Sequence, residues 1–307
     1  MSDTAGQLVL AVPVRNAEEF LAATLESLNA QGPCLRWWLQ DGCSQDRTLE
    51  IARSFARETD TVRSESDNGQ ADAINRACRD MGGDIIGFIN GDDMLMPGTA
   101  ERVLRFFREN PGIDLVHGGV EWIDREGRPA GLHAGQIGSL KEMLDIYHVW
   151  WRQRQWVQPE VFFRRSLWEK VGGFDTRWHL AFDYDFWVRC IIAGARTANI
   201  PDIFARFRIH AAQKSKATEQ AADEIRTIVR AHLDRGADIG AWNRLTLRAH
   251  LNYDTYQLGK TGANGKPPRH FACALAANPQ WLLCRPARKR IQAALARLLR
   301  FERHTAT

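Results

Sequence analysis

The sequence predicts an α/β protein, with a mostly parallel central sheet flanked by helices and a helical C-terminal extension. Three observations carry that expectation. Short apolar runs alternate with amphipathic helical patterns from Leu8 to Asn90, giving a βαβαβαβ series. The last of those runs, within Gly83–Asp93, is almost continuously β-favouring, as a strand covered on both faces would be. From about Ala217 the pattern turns helical and polar, with a Gly/Pro-rich break at Gly262–Pro268.

Leu8–Val12 reads as a buried strand stopped by Pro13. Asn16 would start a helix, with Glu19 as its capping-box partner and Phe20, Leu21, Thr24, Leu25 and Leu28 on the inner face. Leu35–Leu39 is a second strand, ending in Gln40-Asp41-Gly42, and Gln45–Arg57 a second helix. Thr61–Ser64 is a third strand, Asp67-Asn68-Gly69 a turn, and Ala73, Ile74, Ala77 and Cys78 mark a third helix. The strand Asp84–Asn90 then delivers Asp92-Asp93 to its carboxyl end, the end where open α/β sheets bind ligands. Adjacent carboxylates repel unless a cation lies beside them. A divalent ion answers that need, although Gly-Asp-Asp is also ordinary turn chemistry.

Beyond Asp93 the rhythm changes. Thr99–Glu109 reads as a helix, and Leu115–Ile123 as a strand leading into a hairpin at Asp124–Gly127. Trp156–Phe163 is a further strand, while Ser166–Val171 and Asp183–Ala193 are helices.

Composition excludes several classes. The first turn, Pro13-Val14-Arg15-Asn16-Ala17, is neither a Gly-x-Gly-x-x-Gly dinucleotide loop nor a phosphate-binding lysine loop. No apolar run reaches bilayer-spanning length, no signal-like segment opens the chain, and nothing points to nucleic acid. Six cysteines without metal-ligand spacing fit reduced thiols of a cytoplasmic protein. Net charge is +4, with the excess near the C-terminus. There, residues 285–303 place Ile291, Ala294, Leu295, Leu298 and Leu299 on one face among arginines and a lysine. Such a helix can lie on the anionic inner face of a membrane or dock on protein.

Ordered blocks then resemble an inverting glycosyltransferase of family 2 with the Rossmann-like GT-A fold. They are Val12–Asn16, Asp41–Thr48, Asp67–Asn75, Asn90-Gly91-Asp92-Asp93, Gln158–Phe163, Gly172–Asp175, Asp183–Arg189 and Arg206–His210. The resemblance covers about Leu8 to Ser215. It implies a transferase domain over residues 1–215, with a nucleotide-sugar half at about 8–98 and an acceptor half at about 99–215. Residues 216–307 form the helical extension. The implied reaction moves a sugar from a nucleotide-diphosphate donor, a UDP-sugar, to a saccharide or lipid-linked hydroxyl, in polysaccharide or glycolipid biosynthesis.

By the same resemblance, Pro13, Val14, Arg15 and Asn16 line the nucleotide pocket, and Asp41 contacts the nucleobase. Asp67, Gly69 and Asn75 back the donor, although Ile74 stands where many relatives carry arginine. Asp92 belongs to the donor site, while Asp93, completed by His210, holds Mn2+ or Mg2+. Trp156, Gln158 and His179 face the acceptor, and other tryptophans between Trp150 and Trp187 line the cleft or pack in the core. Asp183 is the base that takes the acceptor proton. Asp185, two residues on, points elsewhere and can pair with Arg189. Alternatives are a non-catalytic sugar-nucleotide-binding subunit and a sugar-1-phosphate nucleotidyltransferase. The second would want a Gly-rich, basic first loop that this chain lacks.

Overall fold

A computed structural model describes residues 7–211, 213, 218–261, 275–276 and 278–293. The chain divides into two compact units, residues 1–139 with 153–225 and residues 140–152 with 226–307. The division departs from the expected break at residue 216: it falls within a helix, and the second unit takes in a segment from the middle of the chain.

The first unit is built on one mixed sheet. Its first four strands are β1 (Leu8–Val14), β2 (Leu35–Asp41), β3 (Thr61–Ser64) and β4 (Ile85–Phe88). They lie parallel in the order β3-β2-β1-β4, with Val14 opposite Asp41, so their carboxyl ends share one edge. β1 is buried throughout, which explains its unbroken apolar sequence. Helices α1 (Leu21–Asn29), α2 (Thr48–Phe55) and α3 (Gln70–Asp80) make the crossovers.

α1 begins later than the capping-box pattern suggests. Asn16 has a positive φ of 52° and accepts a hydrogen bond from the Gln45 N–H, while Glu19 pairs with Arg125. Both proposed capping side chains are therefore used between loops.

Beyond β4 the sheet becomes mixed. β5 (Met94–Leu95) leads to α4 (Thr99–Glu109), then β6 (Leu115–Ile123), β7 (Pro129–Ala134) and α5 (Leu140–Leu144). β8 (Val161–Arg164), α6 (Arg165–Val171), α7 (Phe182–Ile192) and β9 (Thr197–Arg208) follow. The order continues β4-β8-β6-β9-β5, with β7 beside β6. β8 starts at Val161 rather than Trp156, because Gln158–Glu160 forms a 3-10 turn.

β9 escaped the sequence reading. Pro201 interrupts its pattern, and the register with β6 slips across it: Asn199 lies opposite His117, but Ile203 opposite Gly119. Such a slip is how a sheet accommodates a residue without an N–H. The main core joins Leu8, Leu10 and Val12 to Leu21, Leu25, Val103, Phe107, Phe162 and Phe204.

α8 (Thr218–Asp234) and α9 (Ala241–Thr261) follow. In the second unit, Ala249 and Tyr253 of α9 pack with Trp281, Cys284 and Ala287. Ala287 lies in a helix at 285–293 and is fully buried. The described start of the basic tail is thus docked on protein. Residues 294–303, most of the proposed membrane-facing surface, lie outside the described residues. No described helix is long and apolar enough to cross a membrane.

Candidate active site

The carboxyl ends of the parallel strands are bound to one another through their loops. After β1, the N–H groups of Asn16 and Ala17 donate to Ser44 Oγ and Thr48 Oγ1 at 2.8 and 2.7 Å. Asp46 accepts from the Glu18 N–H at 3.2 Å, and Glu18 accepts from the Arg47 N–H at 3.0 Å. Pro13 and Val14 are buried and serve as framework, whereas Arg15 and Asn16 are exposed at the edge.

Asp41 is fully buried, accepting from the Ser44 N–H and hydroxyl and from Ser64 Oγ at 2.6 Å. Its carboxylate fixes the loop after β2 instead of facing a ligand. Reading Asp41 as a nucleobase contact does not fit this conformation, because serines occupy it on a fully covered side.

Asp67, Arg15 and Gly42 meet. A Cβ at Gly42 would stand 2.7 Å from Asp67 Oδ2 and 3.6 Å from Arg15 Cδ, so a larger residue there would displace the Asp67 carboxylate. Asp67 also accepts from the Gly69 N–H at 2.8 Å. Gly69 has a φ of 109°, and a Cβ there would lie 3.9 Å from His179 Nδ1. Exposed His179 therefore borders the Asp67–Gly69 turn, joining residues far apart in sequence.

Asn75 is placed differently from the donor-binding expectation. Its amide donates to the Phe174 carbonyl at 2.7 Å and accepts the Phe174 N–H at 2.9 Å. Both polar ends latch α3 to the Gly172–Asp175 turn, so Asn75 acts as a brace.

After β4, Gln70 Nε2 donates to Asn90 Oδ1 at 2.6 Å, and Asn90 Nδ2 donates to Gln158 Oε1 at 3.2 Å. Gln158 also donates to the Phe88 carbonyl and is buried, so it holds the strand end rather than reaching an acceptor. Trp156 is likewise corrected. It is 1% exposed and packs on His117 and Trp187, so its ring belongs to the core.

The two aspartates after Gly91 separate. Asp93 is fully buried and accepts the Arg208 N–H at 3.0 Å. Burial, and then the adjacent Asp92 charge, push its carboxyl well above the ordinary aspartate range. Asp92 stays partly exposed, with Oδ2 2.9 Å from His210 Nε2. His210 lies against the Phe20 ring. Arg208 stacks over Phe20 and donates to the Asp92 carbonyl at 3.0 Å, holding the end of β9 in place. Asp92 and His210 thus meet at this strand end as a paired oxygen and nitrogen donor, both partly exposed. The metal-ligand role expected of Asp93 fits Asp92 better, because Asp93 is enclosed and engaged by backbone.

Asp183 lies in the first turn of α7. Phe182 beside it packs on Phe88 of β4, ring centroids 5.8 Å apart, which brings this helix start toward the strand end bearing Asp92. Burial, followed by the Glu224 charge, pushes the Asp183 carboxyl up to about 6, against its hydrogen bond from the Tyr184 N–H. Asp185 is buried and bound to Arg189 at 2.7 Å, the pairing expected at that spacing. Arg189 also donates to the Val171 and Gly173 carbonyls.

Glu224 was missed. From α8 its carboxylate accepts the N–H groups of His179, Leu180 and Ala181 at 3.2, 2.9 and 2.9 Å. An anion at a helix N-terminus satisfies otherwise unpaired donors and the helix dipole. Nothing local distinguishes Glu224 from the other acids of a polar helix, so only the fold reveals it.

Comparison with known proteins bears on the family and the fold. A PGL/p-HBAD biosynthesis glycosyltransferase of Mycobacterium bovis is 31% identical over 185 residues, spanning 58% of this chain and 67% of that protein. An uncharacterised glycosyltransferase of Haemophilus influenzae is 24% identical over 235 residues, 71% of this chain and 76% of that protein. Among solved structures, S. aureus TarS in complex with UDP-GlcNAc superposes with a TM-score of 0.65 at 17% identity, over 90% of this chain and 78% of that one. A mannosyltransferase of Pyrobaculum calidifontis, in complex with GDP-Man and Mn2+, gives 0.59 at 18% identity, over 92% and 82%. The family model described as Glycosyl transferase family 2 matches residues 9–170. With more than half of its length matched and the GT-A architecture in place, the chain belongs to glycosyl transferase family 2.

Proposed function

We propose that the protein transfers one sugar, with inversion, from a UDP-sugar to a hydroxyl of a polysaccharide or glycolipid acceptor. The observation that carries this reading is the packing of Phe182 on Phe88, which brings two acidic stations toward one strand end. Asp92 with His210 stands at the end of β4, and Asp183 stands at the start of α7, whose neighbouring Phe182 packs on β4.

Arg15, Asp67 and Gly69 form the donor-side wall. His179 borders the same turn from the acceptor side, with Trp178 next to it in the chain. Asp92 and His210 offer oxygen and nitrogen donors suited to a divalent ion. Mn2+ or Mg2+ held there would neutralise the diphosphate as it leaves. Asp183 takes the proton from the acceptor hydroxyl while that oxygen bonds the anomeric carbon and the bond to the diphosphate breaks. Attack from the side opposite the leaving group inverts the anomeric centre. Glu224 keeps the Asp183 turn in place through the backbone.

The UDP-GlcNAc complex of TarS and the biosynthetic role in the mycobacterial relative's name support the donor and acceptor classes. The test is transfer from UDP-sugars to glycan and glycolipid acceptors, with the product's anomeric configuration read by NMR. Inverted product that disappears on adding EDTA supports the reading. Retained configuration, or turnover indifferent to EDTA, overturns it.

A further inference from the structure

A second cluster of metal-ligating side chains lies in the helical unit. Asp145 follows α5, His148 is three residues on, and His250 comes from α9. Their potential ligand atoms all lie within 4.8 Å of one another, and they form the one such gathering of three among the described residues. The protein itself organises the cluster. The Asp145 carboxylate accepts the His148 N–H at 3.1 Å and stands 3.0 Å from His148 Nδ1, and the two imidazoles pack edge to face at 4.7 Å.

One polar atom in this arrangement has no partner among the described residues. His250 is 7% exposed, and its buried Nδ1 makes no hydrogen bond. The nearest carboxylate oxygen, on Asp145, is 3.9 Å away, too far for a hydrogen bond. A buried imidazole nitrogen without a partner costs about 1–3 kcal/mol, so its orientation toward a carboxylate and a second histidine calls for an occupant.

We propose that Asp145, His148 and His250 bind a divalent transition-metal ion of the zinc class. Two imidazoles and one carboxylate suit such an ion, whereas Mg2+ and Ca2+ prefer oxygen alone. Ligand bonds of about 2.0–2.2 Å would draw the three atoms to about 3.3 Å apart, within reach of side-chain rotation. His148, with its side chain 39% exposed, gives the ion a route in and leaves positions for water. Charges nearby are already engaged: Arg288 donates to the Leu282 and Leu283 carbonyls, and Asp254 is paired with Arg226. The ion would fasten the segment at 140–152 to α9, a structural task separate from the Asp92–His210 station.

The test uses the untagged full chain, stripped with chelator and free of nucleotide, titrated with Co2+ and then Zn2+. The expected result is one equivalent of Co2+ with visible ligand-field absorption, its displacement by Zn2+, and a higher Tm. His148→Gln, at a partly exposed position, should weaken binding at least tenfold, as should His250→Gln. His210→Gln should leave it unchanged. Absence of Co2+ absorption in the wild-type chain overturns the proposal whatever the variants do. So does binding that survives both His148→Gln and His250→Gln, or that is lost in His210→Gln.

Discussion

The end of β4 and the start of α7 each present two closely spaced aspartates, and the protein treats the pairs in parallel ways. In each, one acid is buried and structural: Asp93 on the Arg208 N–H, Asp185 on the Arg189 guanidinium. The other stays partly exposed, with an ionisable neighbour close to it. For Asp92 that neighbour is His210, a potential cation and ligand; for Asp183 it is Glu224, a second anion. The difference separates two tasks. A carboxylate beside an imidazole is suited to holding positive charge, whereas one raised by burial and a neighbouring anion has more affinity for a proton.

The largest effect expected from breaking this comparison is on Asp183. Asp183→Asn should lower kcat by about 10²-fold or more while UDP affinity stays near wild type. Asp185→Asn should instead act on stability, costing about 3 kcal/mol, because it leaves Arg189 unpaired in a mostly buried setting. Steady-state kinetics beside thermal melts separate the two, and a reversed pattern would mean that Asp185 is the base.

Next comes the strand end. Asp92→Asn should abolish metal-dependent UDP binding without unfolding the protein. Asp93→Asn should keep much of that binding, since Asp93 is enclosed and its oxygen is engaged by the Arg208 N–H. Calorimetric titration of UDP with and without Mn2+ checks this, and equal losses in both variants would count against Asp92 as the outward ligand.

A smaller effect lies in the pH profile. Asp183 must be ionised to act, so kcat/KM should hold above about 6 and fall as pH drops through it. Glu224→Gln removes a charge that raises the Asp183 carboxyl, so the acidic limb should move to lower pH. An unmoved limb would remove Glu224 from this role.

The smallest effect is thermodynamic. Because the folded pKa of Asp183 lies above the unfolded value, its ionisation opposes folding. That cost develops as pH rises from about 4 to about 6 and persists above. Asp183→Asn should therefore melt no lower than wild type at neutral pH, and a Tm at or above wild type in differential scanning calorimetry is the outcome to look for.

Much of this protein was legible in its sequence because local patterns carry the information. Apolar runs such as Leu8–Val12 and Ile85–Ile89 gave the strands, and helical spacing gave α1 to α4, since burial on a sheet imposes those periods. Motif order gave the family and singled out Asp92, Asp93, His210 and Asp183, with Asp93 and His210 as the expected metal ligands.

Tertiary structure alone decided which of the two aspartates after β4 is enclosed. Adjacent residues such as Asp92 and Asp93 have the same local chemistry, and only the arrival of Arg208 from β9 encloses one of them. The same holds for Asn75, Gln158 and Trp156, whose side chains suit either a ligand or a brace until Phe174, Phe88 and Trp187 come to meet them. Glu224 and His250 carry no motif, because the partners they meet lie tens of residues or more away in the chain. Sequence spacing encodes the period of an element, but burial and charge at a side chain depend on what the rest of the chain packs against it.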